Sequence, residues 1–493
     1  MKKRKYLTRV LAVMILAAVI LSANYFAELS FDKPRNADYY NRDIRQLEKN
    51  HVPVDLIIVG ASQVYRGCNV DVISKEMGIG EVIDCAAPIG FVDGLYYMLR
   101  DLLRRFEPKA VVIDMTWRKF LEVEDPGSRF GMYLCSDRLE WPDRIDFALH
   151  CFNLTDWANL FPLYRNGKAV WGMSQLKRNY RDKKAVAEGR PSPDGRYQKN
   201  GFIRAYWSCP QGSLPAQQKE YSNDMVSEYS RKYVLKTWEL CREKNIPVIW
   251  ITIPGSMEEV LCVDDYQESM DYIGKFVKEL GGEHLNFSYL KNREEILPDP
   301  YFSDKLHLNG KGSEVFSEIL ADALKKTLKG EDTGSLFYKN LEEMKKDVHR
   351  IVACNGRVRP NGDGTLTVEV KSLQGTDEIP QFRLMLIEGS KTAEIGDDEA
   401  DGQDDQAAEN ASRDAGADSL SEETASSGNE AGQESRDIRE LRPWQDETTF
   451  LINENEIPEG YVLRLEARRK GGTQTDAYVN RLTGEYQGNR VIW

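Results

Sequence analysis

VDLIIVGASQVYRGCNV, residues 54–70, carries the reading of the fold. Its first seven residues form an almost unbroken apolar run, the pattern of a strand buried on both faces. Gly60 and Ser62 follow at once, and a helical stretch begins. Strand, tight turn and helix open a βαβ unit. Four more short apolar runs recur at the same kind of spacing: EVIDCA (81–86), KAVVIDM (109–115), IPVIWITIP (246–254) and the weaker EHLNFS (283–288). Helical patterns lie around them, among them NVDVISKEMG, GLYYMLRDLLRRFEP, SEYSRKYVLKTWELCREKN and SMDYIGKFVKELGG, each ending near Gly, Asn or Pro. The expected fold is α/β: a flavodoxin-like, doubly wound, five-stranded parallel sheet over residues 51–330, closed by the helix SEVFSEILADALKKTLKG.

Around and within this core the composition shifts several times. MKKRKYLTRV supplies five basic residues before the apolar LAVMILAAVILSANYFAEL. Basic residues stay in the cytoplasm, so the body of the chain is expected outside it. Small-x-small cleavage sites are poor, with Leu21 and Tyr25 at the minus-three positions, which favours an uncleaved signal anchor over residues 1–30. NADYYNRDIRQLEKN reads as a linker helix within 31–50. Between the third and fourth strands, residues 120–225 form an insertion rich in Trp, Tyr and Arg, placed to wall a site or to cap the domain. From 347 to 493 the pattern changes to period two, in GTLTVEVKSL, QFRLMLIEGS, TTFLINENEI and GYVLRLEARRKGG, which predicts a small β-sandwich. Residues 391–436 lack aromatics and are strongly acidic, so they read as a disordered loop between strands.

Bulk numbers exclude some functions. The net charge of -13 argues against a nucleic-acid binder, because phosphate binding needs basic surface. Eight cysteines (68, 85, 135, 151, 209, 241, 262 and 354) have no CxxC or other metal-like spacing. They read as buried thiols, and neither a metal nor a cofactor is expected.

Chemistry concentrates at two places. Ser62, just past the first strand, presents a hydroxyl at the carboxyl edge of the sheet, beside helix-terminal N–H groups suited to an oxyanion. YFSDKLHLNGKGSEVFSEIL (301–320) lies after the fifth strand and holds one of only five histidines. Asp304 stands three residues before His307, close enough for one turn to bring carboxylate to imidazole. A serine hydroxyl needs a base to take its proton, and the base needs an acid to set its tautomer. His307 and Asp304 supply that pair. Asp55, Asp84 and Asp114 lack the paired spacing of a glycosidase. His51, His150, His284 and His349 have no matching partner. Arg66 suits either an anionic substrate or a helix-start salt bridge. Trp117, Tyr164, Arg165 and Trp171 suit sugar stacking and anion contact or the packing of the insertion.

VGASQ on the first strand, SDKLHLNGKGSEVFSEIL at the domain's end and the five-strand layout between them resemble the SGNH (GDSL-like) hydrolase superfamily over residues 50–328. Within it the chain is similar to the membrane-anchored branch related to D-alanyl-lipoteichoic-acid biosynthesis protein D and to surface-polysaccharide acylation proteins. The resemblance implies Ser62 as nucleophile, His307 as base and Asp304 as its partner, with oxyanion N–H groups from Ser62 and Gly90. It implies an extracytoplasmic esterase or O-acyltransferase in the cell membrane. A surface glycan or teichoic-acid-like polymer would be its substrate, and a membrane-bound O-acyltransferase its partner. Two departures stand out. Ala61 replaces the usual Asp before the serine. The G-x-N-D block is missing, because the third strand ends VVIDMTWRK, where Thr116 or Trp117 would take the space of the oxyanion asparagine. That second departure leaves a rival expectation, a non-catalytic binding or assembly component.

Overall fold

The structure is a computed structural model. It describes the chain except residues 1–9, 13, 16–18, 20–21, 23–26, 89–90, 117–119, 121–131, 166–171, 208–225, 264, 375–379, 389–436, 459, 474, 480–482 and 485–493. Five parallel strands form the central sheet: β1 (Val54–Gly60), β2 (Glu81–Ala86), β3 (Ala110–Asp114), β4 (Val248–Thr252) and β5 (His284–Asn286). Their order is β2-β1-β3-β4-β5. In register, Asp84 lies beside Ile58, Val112 is the partner of Ile58 on the other side and of Ile249, and Trp250 meets His284. Ile57, Ile58, Val111, Val112 and Ile251 are fully or almost fully buried. Continuous burial of both faces is what unbroken apolar runs imply, and this is a doubly wound α/β sheet.

Helices cover both faces. Helix α1 (Asn36–Lys49) precedes the sheet; α2 (Ser62–Gly67) and α3 (Val70–Met77) join β1 to β2; α4 (Val92–Arg105) joins β2 to β3. Helices α5 (Glu228–Glu243) and α6 (Tyr266–Glu279) flank β4, and α7 (Gly310–Leu328) closes the domain. Helices α2, α3 and α7 pack together, and so do α4 and α5. Helix α1 is no free linker. Its composition is polar, yet Tyr40, Ile44 and Leu47, spaced for one helix face, are buried in the main core.

The described part of the insertion wraps the β2 edge. Arg100 of α4 donates to Asp143 at 2.6 Å. A short hairpin, Tyr197–Lys199 with Phe202–Ile203, then reaches β2. There Asp84 N–H donates to Asn200 O at 2.9 Å and Asn200 Nδ2 to Val82 O at 3.1 Å. These bonds cover an edge strand that would otherwise expose unpaired backbone groups. Gly201 makes the close approach: its φ is +106°, and a Cβ there would lie 2.3 Å from Asp84 O. Gly201→Ala is expected to lower stability by about 2–4 kcal/mol, since both backbone strain and overlap oppose it. A denaturant midpoint measurement checks this.

Two four-stranded sheets follow, one antiparallel and one mixed. Strands β6 (Ile351–Pro360), β7 (Thr365–Gln374), β8 (Pro380–Glu388), β9 (Ile438–Gln445), β10 (Thr449–Asn453), β11 (Tyr461–Arg469), β12 (Ala477–Val479) and β13 (Thr483–Gly484) make them up. The sheet orders are β9-β8-β11-β12 and β10-β7-β6-β13, with β13 parallel to β6. Val358, Val368 and Phe450 from one sheet share a core with Phe382, Leu384 and Leu465 from the other. The acidic stretch 391–436 lies outside the described residues. The strands on either side of it, β8 and β9, are paired neighbours, with Glu388 N–H donating to Asp437 O at 3.0 Å. The expected anchor, residues 1–30, lies largely outside them as well. Among the described residues no helix is long and apolar enough to cross a membrane.

Candidate active site

The site begins at the turn after β1. A Cβ on Gly60 would lie 2.0 Å from Val64 Cγ2, so only glycine lets the chain turn this sharply from strand into α2. Ala61 is the N-cap and Ser62 the first helical residue. The Ser62 N–H belongs to the first turn, which has no partner within the helix.

The second part is a closed loop. Phe302 and Leu308 form an antiparallel bridge, and Ser303 N–H donates to His307 O at 2.8 Å. Inside it Asp304 Oδ1 accepts the N–H groups of Leu306 at 2.8 Å and His307 at 2.9 Å. This local aspartate turn fixes the carboxylate against its own backbone. The next residues start α7, where Asn309 caps the helix by accepting from the N–H groups of Lys311 and Gly312. The segment DKLHLNG is therefore a carboxylate clamp followed by a helix cap.

Packing of α7 beside α2 brings the two parts together. Ser317 Oγ accepts from Asn69 N–H at 2.8 Å and donates to Gly67 O at 3.3 Å. The His307 imidazole then lies with Nε2 2.7 Å from Ser62 Oγ, and with Nδ1 2.8 and 2.9 Å from the two oxygens of Asp304. An ionised carboxylate only accepts, so Nδ1 carries the proton and Nε2 is left to accept from the serine hydroxyl. Burial alone would raise the Asp304 pKa. The His307 hydrogen bond and charge, the Leu306 N–H and Arg66 outweigh it and hold the carboxyl below its usual range. His307 is 8% exposed, while Ser62 is half-buried.

Residues around the relay join it from several elements. Arg66, on α2, reaches Asp304 Oδ2 at 3.5 Å, the ion pair among its two expected uses. Thr116 occupies the space after β3: its hydroxyl lies 2.7 Å from Gln63 Oε1 and 2.9 Å from Asp114 Oδ2. Gln63 also donates to Leu306 O at 3.4 Å, bridging β3 to the histidine loop. Gly90 and Trp117 lie outside the described residues, as do Trp171 and the side chain of Arg165. Tyr164 is exposed, and no hydrogen bond or ring contact joins it to the relay among the described residues.

The remaining titratable groups are placed elsewhere. Asp55 pairs with Lys109 at 2.9 Å. Asp84 is fully buried, and burial pushes its carboxyl well up. His284 meets Thr252 Oγ1 at 2.8 Å, and desolvation lowers its pKa to about 4, leaving it neutral. His150 lies beside Asp146, and His51 and His349 are exposed. The described cysteines 68, 85, 135, 151, 241 and 354 are buried.

Sequence reading missed the end of the insertion. Gly310 N–H, at the start of α7, donates to Ala205 O at 2.7 Å, which brings residues 204–207 alongside the histidine loop. Trp207 lies there, with the Arg66 guanidinium 5.6 Å from its ring centroid. The one available signal was the aromatic, basic stretch IRAYWSCPQG. No family model matches the chain, and no curated protein matches it.

Proposed function

We propose that the chain is a serine esterase or O-acyltransferase of the SGNH type, held at the membrane by its N-terminus and acting outside the cytoplasm. Its substrate is an acylated surface glycan or teichoic-acid-like polymer, and a membrane-bound O-acyltransferase is its partner in acyl supply. The observation that carries the chemistry is the unbroken relay from Ser62 Oγ through His307 to Asp304. In this reading Ser62 Oγ attacks the ester carbonyl while its proton passes to His307 Nε2. Asp304 stabilises the imidazolium that forms. The Ser62 N–H faces the developing oxyanion. Collapse breaks the bond to the leaving alcohol, which takes the proton from Nε2 and leaves an acyl-serine. Water or an acceptor hydroxyl then gives its proton to Nε2, attacks the acyl carbon and restores the free serine.

The 2-1-3-4-5 strand order supports the reading further, because ligands of doubly wound sheets bind at the carboxyl edge where the order reverses, and Ser62 follows β1 at that point. Labelling with a fluorophosphonate tests it. The parent chain is expected to be labelled at Ser62, and Ser62→Ala is expected to lose the label. Absence of label from both proteins would favour the rival role of a non-catalytic binding or assembly component.

A further inference from the structure

We infer that Trp207 and Arg196, backed by Arg66, form a subsite for an anionic sugar unit next to the reactive serine. The inference rests on the esterase reading only for what happens to the bound polymer. Trp207 is 38% exposed, and two guanidiniums approach its ring: Arg66 at 5.6 Å and Arg196 at 5.1 Å from the centroid. The indole supplies a flat apolar surface for a sugar ring, and the guanidiniums supply forked donors for a carboxylate or phosphate.

The three residues differ in their tasks. Arg66 is buried and bonded to Asp304, so it positions Trp207 from below and links the subsite to the relay. Arg196 faces outward. Its side chain is 39% exposed and its ion pair with Asp194 is long, at 3.7 Å. Arg204, the other guanidinium of this segment, is held tightly by Glu314 at 2.7 Å. Arg196 is therefore the cation with donors to spare.

Hydrogen bonds hold the frame around them. Arg204 N–H donates to Arg196 O at 2.8 Å and Tyr206 Oη to Gly195 O at 2.9 Å, tying the two sides of the hairpin together. Gly310 N–H holds the same segment to α7.

The shared ligand chemistry is an oxyanion on or beside a sugar or polyol. A uronate carboxylate and a phosphodiester are its two sources. Calorimetric titration of the full-length Ser62→Ala chain tests the subsite without turnover. The probes are tri-galacturonate, oligo(glycerol phosphate) and the neutral xylotriose. At least one anionic probe is expected to bind about tenfold or more tightly than xylotriose, and the stronger of the two names the source. Added Arg196→Gln or Trp207→Ala is expected to weaken that binding about fivefold or more, and Trp207→Phe to restore most of it. Raising salt from about 50 to about 300 mM is expected to weaken it too. Equal affinity for charged and neutral probes, or binding indifferent to Arg196→Gln, would overturn the subsite. Turnover of p-nitrophenyl acetate by the parent chain is measured in parallel. Its absence alongside selective anion binding removes the esterase reading and leaves the subsite standing.

Discussion

Turnover of a small ester by the His307→Ala protein is expected to fall by about four to six orders of magnitude from the parent. His307 is the group that meets both Ser62 Oγ and Asp304, so its loss removes the base for attack and the acid for the leaving alcohol in one step. Adding Ser62→Ala is expected to cost little more, because residues that act as one unit lose their effect together. Asp304→Asn provides a finer check. An amide cannot hold the Nδ1 proton and the imidazolium charge as a carboxylate does, so a fall of about 10⁴ in kcat is expected with KM little changed. A thermal melt of each variant separates lost chemistry from lost structure. Independent, additive losses from Ser62→Ala and His307→Ala would mean that the two side chains do not act together.

The second large effect concerns Glu258, a residue without a part in the relay. It is 2% exposed, on the short helix Met257–Cys262, with Lys305 Nζ 3.0 Å from Oε1. Burial raises its pKa to about 7; Lys305 offsets part of the rise, and Asp299 and Glu259 add to it. Near pH 4 Glu258 is protonated in both the folded and the unfolded chain. Between about 4.5 and 7 the unfolded carboxyl ionises while the folded one keeps its proton, so the contribution to stability falls as pH rises. Above 7 both are ionised and the loss is complete. A shift of this size corresponds to about 3 kcal/mol. Glu258→Gln is expected to abolish this component. The difference in stability between variant and parent should grow from pH 5 to pH 8, with the variant the more stable at pH 8. Denaturant titrations at both values read it directly, and a difference independent of pH would place the Glu258 carboxyl in a polar setting. Lys305 also lies between Asp304 and His307 in the chain, and its carbonyl accepts from Ser256 N–H at 2.7 Å, so the same variant probes how firmly the relay loop is held.

Legibility from sequence followed the range of the interactions. The strands of the parallel sheet were readable because burial on both faces leaves a continuous apolar run, and their boundaries differ from the expected ones by a few residues at most. Strand β6, IVACNGRVRP, went unread because Gly356 and Pro360 break the alternation. In the structure it pairs along most of its length with β7. Helix α1 was taken for a linker because its composition is polar, while its buried residues, Tyr40, Ile44 and Leu47 among them, show only through their spacing.

By itself the sequence determined whatever a few neighbouring residues decide: the glycine turn after β1, the aspartate clamp on the histidine loop, the Asn309 cap and the acidic composition of 391–436. Tertiary structure alone decided what meets across the fold. Ser62 and His307 are 245 positions apart and touch because α7 packs against the turn that follows α2. Thr116 and Gln63 sit beside the relay, and Trp207 stands over Arg66, because strand order and a hairpin wrapped around the β2 edge put them there. Periodicity and capping are set by contacts within a turn or two of chain. A site of this kind is set by which faces pack, and that depends on the whole core at once.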